Sequence, residues 1–313
     1  MQVITDVSEP PWDDKTVVTI GAYDGVHLGH QAVIAEVRRL AAARGAKSAV
    51  VTFDKHPAVV VRPESAPRSL TDLDQKLELL AATGIDATVV ITFDQQRASE
   101  EPEEFVEEVL VDGLHAVIVV VGEDFHFGHH RRGNVPLLRE LGRRDGFEVM
   151  PGGLVARADG VDEPVSSTAV RRALAGGEVD IAAHLLGREY EARGIVVVGD
   201  RRGRLLGFPT ANVEVSNQVC LPADGVYAGW YERPDGTVHG CAINLGRRPT
   251  FYEHADHSLL EAHLLDFDGD LYGERAEVRF VHFLRSERKF DGVDALVTQL
   301  KHDIESARHV LGI

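Results

Sequence analysis

Two stretches concentrate residue types that handle phosphate. The first is GAYDGVHLGH, residues 21–30. Gly21 and Gly25 let the backbone approach a ligand that a Cβ would hold off. Gly29 and His30 open a helical run, and amides at a helix start favour anions. His27 and His30 add ring N–H groups that can donate to phosphate oxygens. On spacing alone, a turn with surface histidines fits the same residues. The second stretch is GRLLGFPTANVEV, residues 203–215. Gly203 and Gly207 again permit close backbone approach. The Thr210 hydroxyl and the Asn212 amide oxygen are hard ligands suited to Mg²⁺. Their spacing of two puts both on one face of a strand. Read alone, this stretch also fits a Gly/Pro-rich turn with a buried asparagine. The chain has no G-x-x-x-x-G-K-[ST], so any kinase activity is not of the P-loop type. His126, His129 and His130 cluster without cysteines or helical i,i+4 pairing, which is poor geometry for a transition metal; they read as a polar loop.

Both stretches need elements to position them. TVVTI (16–20), KSAVVTF (47–53), ATVVITF (87–93) and HAVIVVVG (115–122) read as strands. Residues 30–45, 71–84 and 101–113 read as helices, the second capped by Thr71 and stopped by Gly84. Such alternation predicts a doubly wound parallel sheet, with ligands beyond the carboxyl ends of its strands. Gly21, Asp54, Phe93 and Gly122 fall at those ends. Residues 166–187 read as two short helices, and the pattern then changes. Short strand-like runs follow, with Asp235-Gly236 as a hairpin turn. This second half predicts a small antiparallel β-barrel, closed by a helix from about Val293 to Val310. The expected domains are residues 1–186 and 187–313.

Thirty-three Lys and Arg stand against 50 Asp and Glu, a formal charge of −17. That field disfavours nucleic acid and anionic membrane, so a phosphate-bearing ligand must be held by local groups. Cys220 and Cys241 form no zinc or redox motif, which suits a reducing cytoplasm. The acidic, Pro-containing start is not a signal peptide, and no apolar run has the length of a membrane span. Nothing in the sequence fixes an oligomeric state.

GAYDGVHLGH resembles the Gly-x-Phe-Asp-Gly-x-His-x-Gly-His signature of prokaryotic bifunctional riboflavin kinase/FMN adenylyltransferases, the FAD synthetases. TFDKHP (52–57), VGEDFHFG (121–128) and VSSTAVR (165–171) resemble that family's next segments, in order. GRLLGFPTANVEV, LPADGVYAGW, AINLGRRPTF, EAHLLDFDGDLYG and FLRSERKF then resemble its kinase module. The resemblance implies a nucleotidylyltransferase domain followed by a barrel kinase, with riboflavin, FMN and ATP as substrates and Mg²⁺ required. It implies that His27 and His30 handle ATP phosphates, in a site shaped by Gly21, Tyr23, Asp24, Gly25 and Gly29. Ser166, Ser167, Thr168 and Arg171 would close on the same phosphates. Phe53, His56, Pro57, Asp124, Phe125 and Phe127 would line the flavin side. In the kinase module, Thr210 and Asn212 would hold Mg²⁺ with ATP, beside Gly203, Gly207, Phe208 and Pro209. Glu261 would be the general base, although LLEAHLL by itself reads as a strand with an exposed carboxylate. Arg285 and Phe290 would contact the flavin or its covering loop.

Three positions depart from the family pattern. Tyr23 replaces Phe, and Ala169 and His126 stand where many relatives carry Arg. Arg131, Arg132 and Arg172 are nearby cations that could compensate. One alternative is therefore a riboflavin kinase with a weakened adenylyltransferase domain. A flavin-binding protein without turnover is another, though Glu261, His27 and His30 are all present.

Overall fold

The strand-forming runs of the first half are apolar at consecutive positions, so each strand must be covered on both faces. The structure, a computed structural model, describes residues 1–8, 12–153, 155–199, 202–247 and 258–313. Contacts group the chain into two units, Met1–Ser166 and Ser167–Ile313.

The first unit runs β1 (Gln2–Ile4), β2 (Thr16–Ile20), α1 (Leu28–Arg44), β3 (Lys47–Phe53), α2 (Ala58–Val61), α3 (Leu73–Ala82), β4 (Ala87–Ile91), α4 (Gln95–Ala98) and α5 (Pro102–Phe105). A wider π-type helix continues α5 over Val106–Asp112, followed by β5 (Ala116–Val121), β6 (His126–Phe127), β7 (Gly133–Asn134), α6 (Val135–Asp145) and β8 (Glu148–Pro151). Six strands form one parallel sheet in the order β1-β4-β3-β2-β5-β8. Neighbouring strand residues divide between two cores. Val17, Val50, Ile118 and Val120 pack with Ile34 and Val37 of α1 and Leu80 of α3. Val18, Val51, Val119 and Val121 pack with Phe105, Val109, Leu110 and Leu138. This is the predicted doubly wound sheet. The structure adds β1 and β8, which the sequence reading did not anticipate. It also corrects one helix start: α3 is capped by Asp72, whose Oδ1 accepts from Gln75 N at 2.7 Å, and not by Thr71. The Thr71 amide is drawn instead to Asp24 Oδ1, at 3.4 Å.

The second unit begins with α7 (Ser167–Ala175) and α8 (Val179–Leu186). It continues through β9 (Tyr190–Val197), α9 (Arg202–Leu205), β10 (Ala211–Val215), β11 (Gly225–Glu232), β12 (Val238–Arg247), β13 (Ser258–Leu264), β14 (Arg275–Arg285) and α10 (Val293–Leu311). The strands close a six-stranded antiparallel barrel in the order β10-β13-β12-β11-β14-β9. Burial alternates as a filled barrel requires: Cys241, Ile243 and Leu245; Leu260, Ala262 and Leu264; Ala276, Val278 and Phe280. The two short helices belong to this unit, where the Ala223 amide donates to Leu174 O at 2.9 Å.

Candidate active sites

The order of the parallel sheet reverses between β2 and β5, and ligands of such sheets bind outside the strand ends at that point. The chain leaves β2 through residues 21–27 and enters α1, with His27 as its N-cap. His27 Nδ1 accepts the His30 amide at 3.3 Å, and the two imidazoles stack with centroids 3.6 Å apart and planes 18° apart. His27 is buried. His30 is half-buried, and its Nδ1 has no partner among the described residues. Burial, then the neighbouring His27 and Lys76, hold the His30 pKa well below the usual imidazole range, so this ring is neutral at pH 7.

The turn before His27 is strained. Gly25 has φ 80°, which suits glycine, but Tyr23 at 48° and Val26 at 39° also lie in the left-handed region. A β-branched residue there costs energy that its surroundings must offset. The Tyr23 and Thr19 hydroxyls are hydrogen-bonded at 2.7 Å, and Gln31 Nε2 donates to Val26 O at 2.9 Å. Asp24 Oδ1 accepts from Leu70 N at 2.8 Å. The hydroxyl that distinguishes Tyr23 from Phe is thus satisfied within the core. Asp24 positions loops through backbone amides.

Other expected residues of the first unit line the same carboxyl edge. Phe53 ends β3 and meets Phe93 edge-on, with centroids 5.3 Å apart. His56 Nδ1 accepts from Ala58 N at 3.1 Å, with Pro57 preceding α2. Beyond β5, Asp124 is exposed and Phe125 stacks on Phe127 at 5.4 Å. Phe127 itself is buried near Phe105, centroids 5.9 Å apart, so it packs into the core. At the departure His126, Arg131 Nη2 lies 3.1 Å from the ring Nδ1, which returns a cation to that loop. Arg132 is paired with Glu101 at 2.8 Å. Ser166 ends the first unit, whereas Ser167, Thr168 and Arg171 lie on α7 of the second. Ala169 is buried in α7.

In the second unit, strand register assembles what the sequence keeps far apart. Asn212 of β10 pairs with Glu261 of β13, and Glu261 pairs with Asn244 of β12. Directly opposed residues of antiparallel strands share a face, so these three polar side chains form one row. Asn244 Nδ2 donates to Glu261 Oε2 at 3.4 Å. Asn212 is buried, and Gly199 makes its place possible: a Cβ there would stand 2.4 Å from Asn212 Nδ2. Thr210, exposed just before β10, and Asn212 border a cleft of about 410 Å³, together with Arg204, Asp268, Asp270 and Tyr272. That volume lies in the range of ligand sites. Phe208 folds back, donating its amide to Gly203 O at 2.9 Å, with Gly207 between them. His263 Nδ1 lies 2.7 Å from Pro209 O and supports the same turn. Arg285 is held by an ion pair: its Nη2 and Nε reach Asp303 of α10 at 2.7 and 2.9 Å. Its guanidinium also lies 5.8 Å from the Phe290 ring centre. His254 and His257 lie outside the described residues.

Two residues escaped the sequence reading. Asn244 carried no signal, because only register places it beside Glu261. Lys76 carried one: it occupies the apolar stripe of α3 between Leu73 and Leu80. Its ammonium is buried and donates to Phe53 O at 2.6 Å.

A family model for FAD synthetase matches residues 9–169, and one for riboflavin kinase matches residues 186–311. Together they define a two-module transferase of phosphate-bearing groups. A bifunctional riboflavin kinase/FMN adenylyltransferase from Listeria monocytogenes is 39% identical over 306 residues, covering 96% of this chain and 95% of that protein. One of the same name from Escherichia coli K12 is 37% identical over 314 residues, covering 99% and 97%. A crystal structure of a Streptococcus pneumoniae protein named as a macrolide-efflux protein superposes with a TM-score of 0.85 at 30% identity, over 98% of each chain. The chain belongs to the bifunctional riboflavin kinase/FMN adenylyltransferase family. Among its described residues, no helix is long and apolar enough to cross a membrane.

Proposed function

We propose that the chain makes FAD from riboflavin in two ATP-dependent steps, with residues 187–313 as the kinase and residues 1–186 as the adenylyltransferase. The observation that carries the kinase assignment is the row Asn212–Glu261–Asn244 beside the cleft at Thr210. Riboflavin presents a neutral ribityl hydroxyl. Glu261 accepts its proton as the hydroxyl oxygen attacks the terminal phosphorus of ATP, giving FMN and ADP. Asn244 orients the carboxylate. The Thr210 hydroxyl and Asn212 amide oxygen are hard donors, a set that fits Mg²⁺ bound with ATP. When bound, Mg²⁺ supplies charge neutralisation on the phosphates.

The second step needs no protein base. The FMN phosphate is already anionic and attacks the α-phosphorus of ATP, releasing pyrophosphate. The protein supplies alignment and charge stabilisation. The His27–His30 pair at the start of α1 supports that role. Ser166, at the end of the first unit, is assigned to the same phosphates, and Phe53, His56, Pro57, Asp124 and Phe125 to the flavin side. The substrates are small molecules, handled in the cytoplasm. Incubation with riboflavin and Mg·ATP, with the three flavins separated over time, tests the whole reading. FMN should rise first and FAD follow. FMN accumulating without FAD would establish the weakened adenylyltransferase, and absence of both products would leave a flavin-binding protein.

A further inference from the structure

Lys76 is only 7% exposed, and a buried ammonium is unusual unless it is fully engaged. It comes from α3 but reaches the carboxyl edge of the sheet. There its Nζ lies 2.6 Å from Phe53 O, at the end of β3, and 3.5 Å from Ala22 O, in the turn after β2. Burial pulls the Lys76 pKa below the usual lysine value, and the charges of Asp24 and Asp54 oppose that shift. Each carboxylate in turn holds a further loop by its backbone. Asp24 accepts from Leu70 N at 2.8 Å, and Asp54 accepts from Phe93 N at 2.9 Å. The small void among these groups is also lined by Thr71, whose buried hydroxyl has no partner among the described residues. Lys76 therefore lies where the loops after β2, β3 and β4 and the segment before α3 converge; the more exposed Lys55 also lines the void and pairs with Asp54 at 3.8 Å.

We propose that Lys76 is a positioning residue of the adenylyltransferase: its ammonium ties the turn carrying His27 and His30 to the segment carrying Phe53, His56 and Pro57. This rests on assigning residues 21–30 to adenylyl transfer. A helix-borne ammonium can fix two loops because it offers three donors at one point, and neutral oxygens from both strand ends accept from it. Its charge also reaches the reacting edge, since Lys76 is one of the groups that disfavour protonation of His30. Methionine at this position would fill similar space but leave both carbonyls, and the two carboxylates, without their shared cation.

The test uses the full chain with Lys76→Met, Lys76→Ala and His30→Ala, fed either FMN or riboflavin with Mg·ATP. Lys76→Met should lower kcat for FAD formation by about 10- to 100-fold, the scale of a small misplacement of reacting groups. KM for FMN and ATP should change less, and FMN formation from riboflavin should persist. Ethylammonium added to Lys76→Ala should restore part of the FAD rate, whereas tetramethylammonium at equal ionic strength should not. Parent-like FAD synthesis by Lys76→Met overturns the proposal. So does a loss that merely follows the unfolded fraction in a thermal melt and gains nothing from ethylammonium. If His30→Ala loses FAD synthesis while Lys76→Met keeps it, the role of Lys76 alone fails. If His30→Ala also keeps it, the assignment of the turn fails first.

Discussion

The two candidate sites offer different residues to the same proposed co-substrate. The first-unit site is a strained turn and a helix start, with two stacked imidazoles and carboxylates already spent on backbone amides. The barrel site is a row across three strands, with Glu261 paired, among the described residues, through a long contact to Asn244. The difference follows the nucleophile. An FMN phosphate arrives as an anion and needs alignment, whereas a ribityl hydroxyl must lose a proton and needs a base. A base-free second site would leave the hydroxyl unreactive.

Mutations can break this comparison one side at a time. The largest effect is expected from Glu261→Gln, which should slow FMN formation by roughly 10²- to 10⁴-fold, the range for losing a general base. FAD formation from supplied FMN should be untouched. A Glu261→Gln enzyme that phosphorylates riboflavin at the parent rate would falsify the base assignment. Next come His27→Ala and His30→Ala, each expected to lower FAD formation on the order of 10²-fold, the usual cost of one pre-organised donor. Rates measured from FMN and from riboflavin in the same preparation separate the two sides. If both variants make FAD normally, the imidazole pair is only a helix cap. A smaller change should follow Asn212→Ala: kinase activity should require on the order of 10-fold more Mg²⁺, since even residues behind a metal ligand matter on that scale. An Mg²⁺ titration that superposes on the parent's would make Asn212 a packing residue.

Finest of all is a pH effect on stability. His30 is held neutral when folded, because burial keeps its pKa well below the ordinary imidazole value of about 6.5. Below that value the unfolded chain binds the proton and the folded chain resists it. Stability from this group is therefore complete above about pH 6.5 and declines as pH falls, by at most ~1.4 kcal/mol per pH unit. Denaturant melts from pH 7.5 to 5 should show a shallower acid decline in His30→Gln than in the parent. Equal slopes would mean that His30 is solvated in the folded state.

Much of this architecture was legible from residue order. Continuous apolar runs between helical stripes announce strands covered on both faces, and those strands are present as β2, β3, β4 and β5. The edge strands β1 and β8 were not legible. β1 has three residues, and β8 is partly exposed and ends in Pro151. His27, His30, Thr210 and Asn212 stand out in the sequence because their spacing is local. Asn244 does not, because it meets Glu261 only through register, 17 residues apart. Arg285 pairs with Asp303, which lies on a helix 18 residues further on, where a sequence gives no distance. Lys76 was legible only as a charge on an apolar stripe.

The engagement of Arg285 has a consequence for how the barrel site comes into being. Val226 pairs with Asn244 on one side and with Arg285 on the other, so Arg285 ends the row that begins at Asn212. Its counter-charge, Asp303, is 3% exposed and is also gripped by Gln299 of α10 at 2.6 Å. Separating a buried ion pair by removing one partner costs about 3–5 kcal/mol. During synthesis every barrel strand leaves the ribosome before α10 does. The anion that balances Arg285 therefore comes from α10, the element that follows all six barrel strands in the chain, and truncating α10 before Asp303 would leave the end of the row charged and unbalanced.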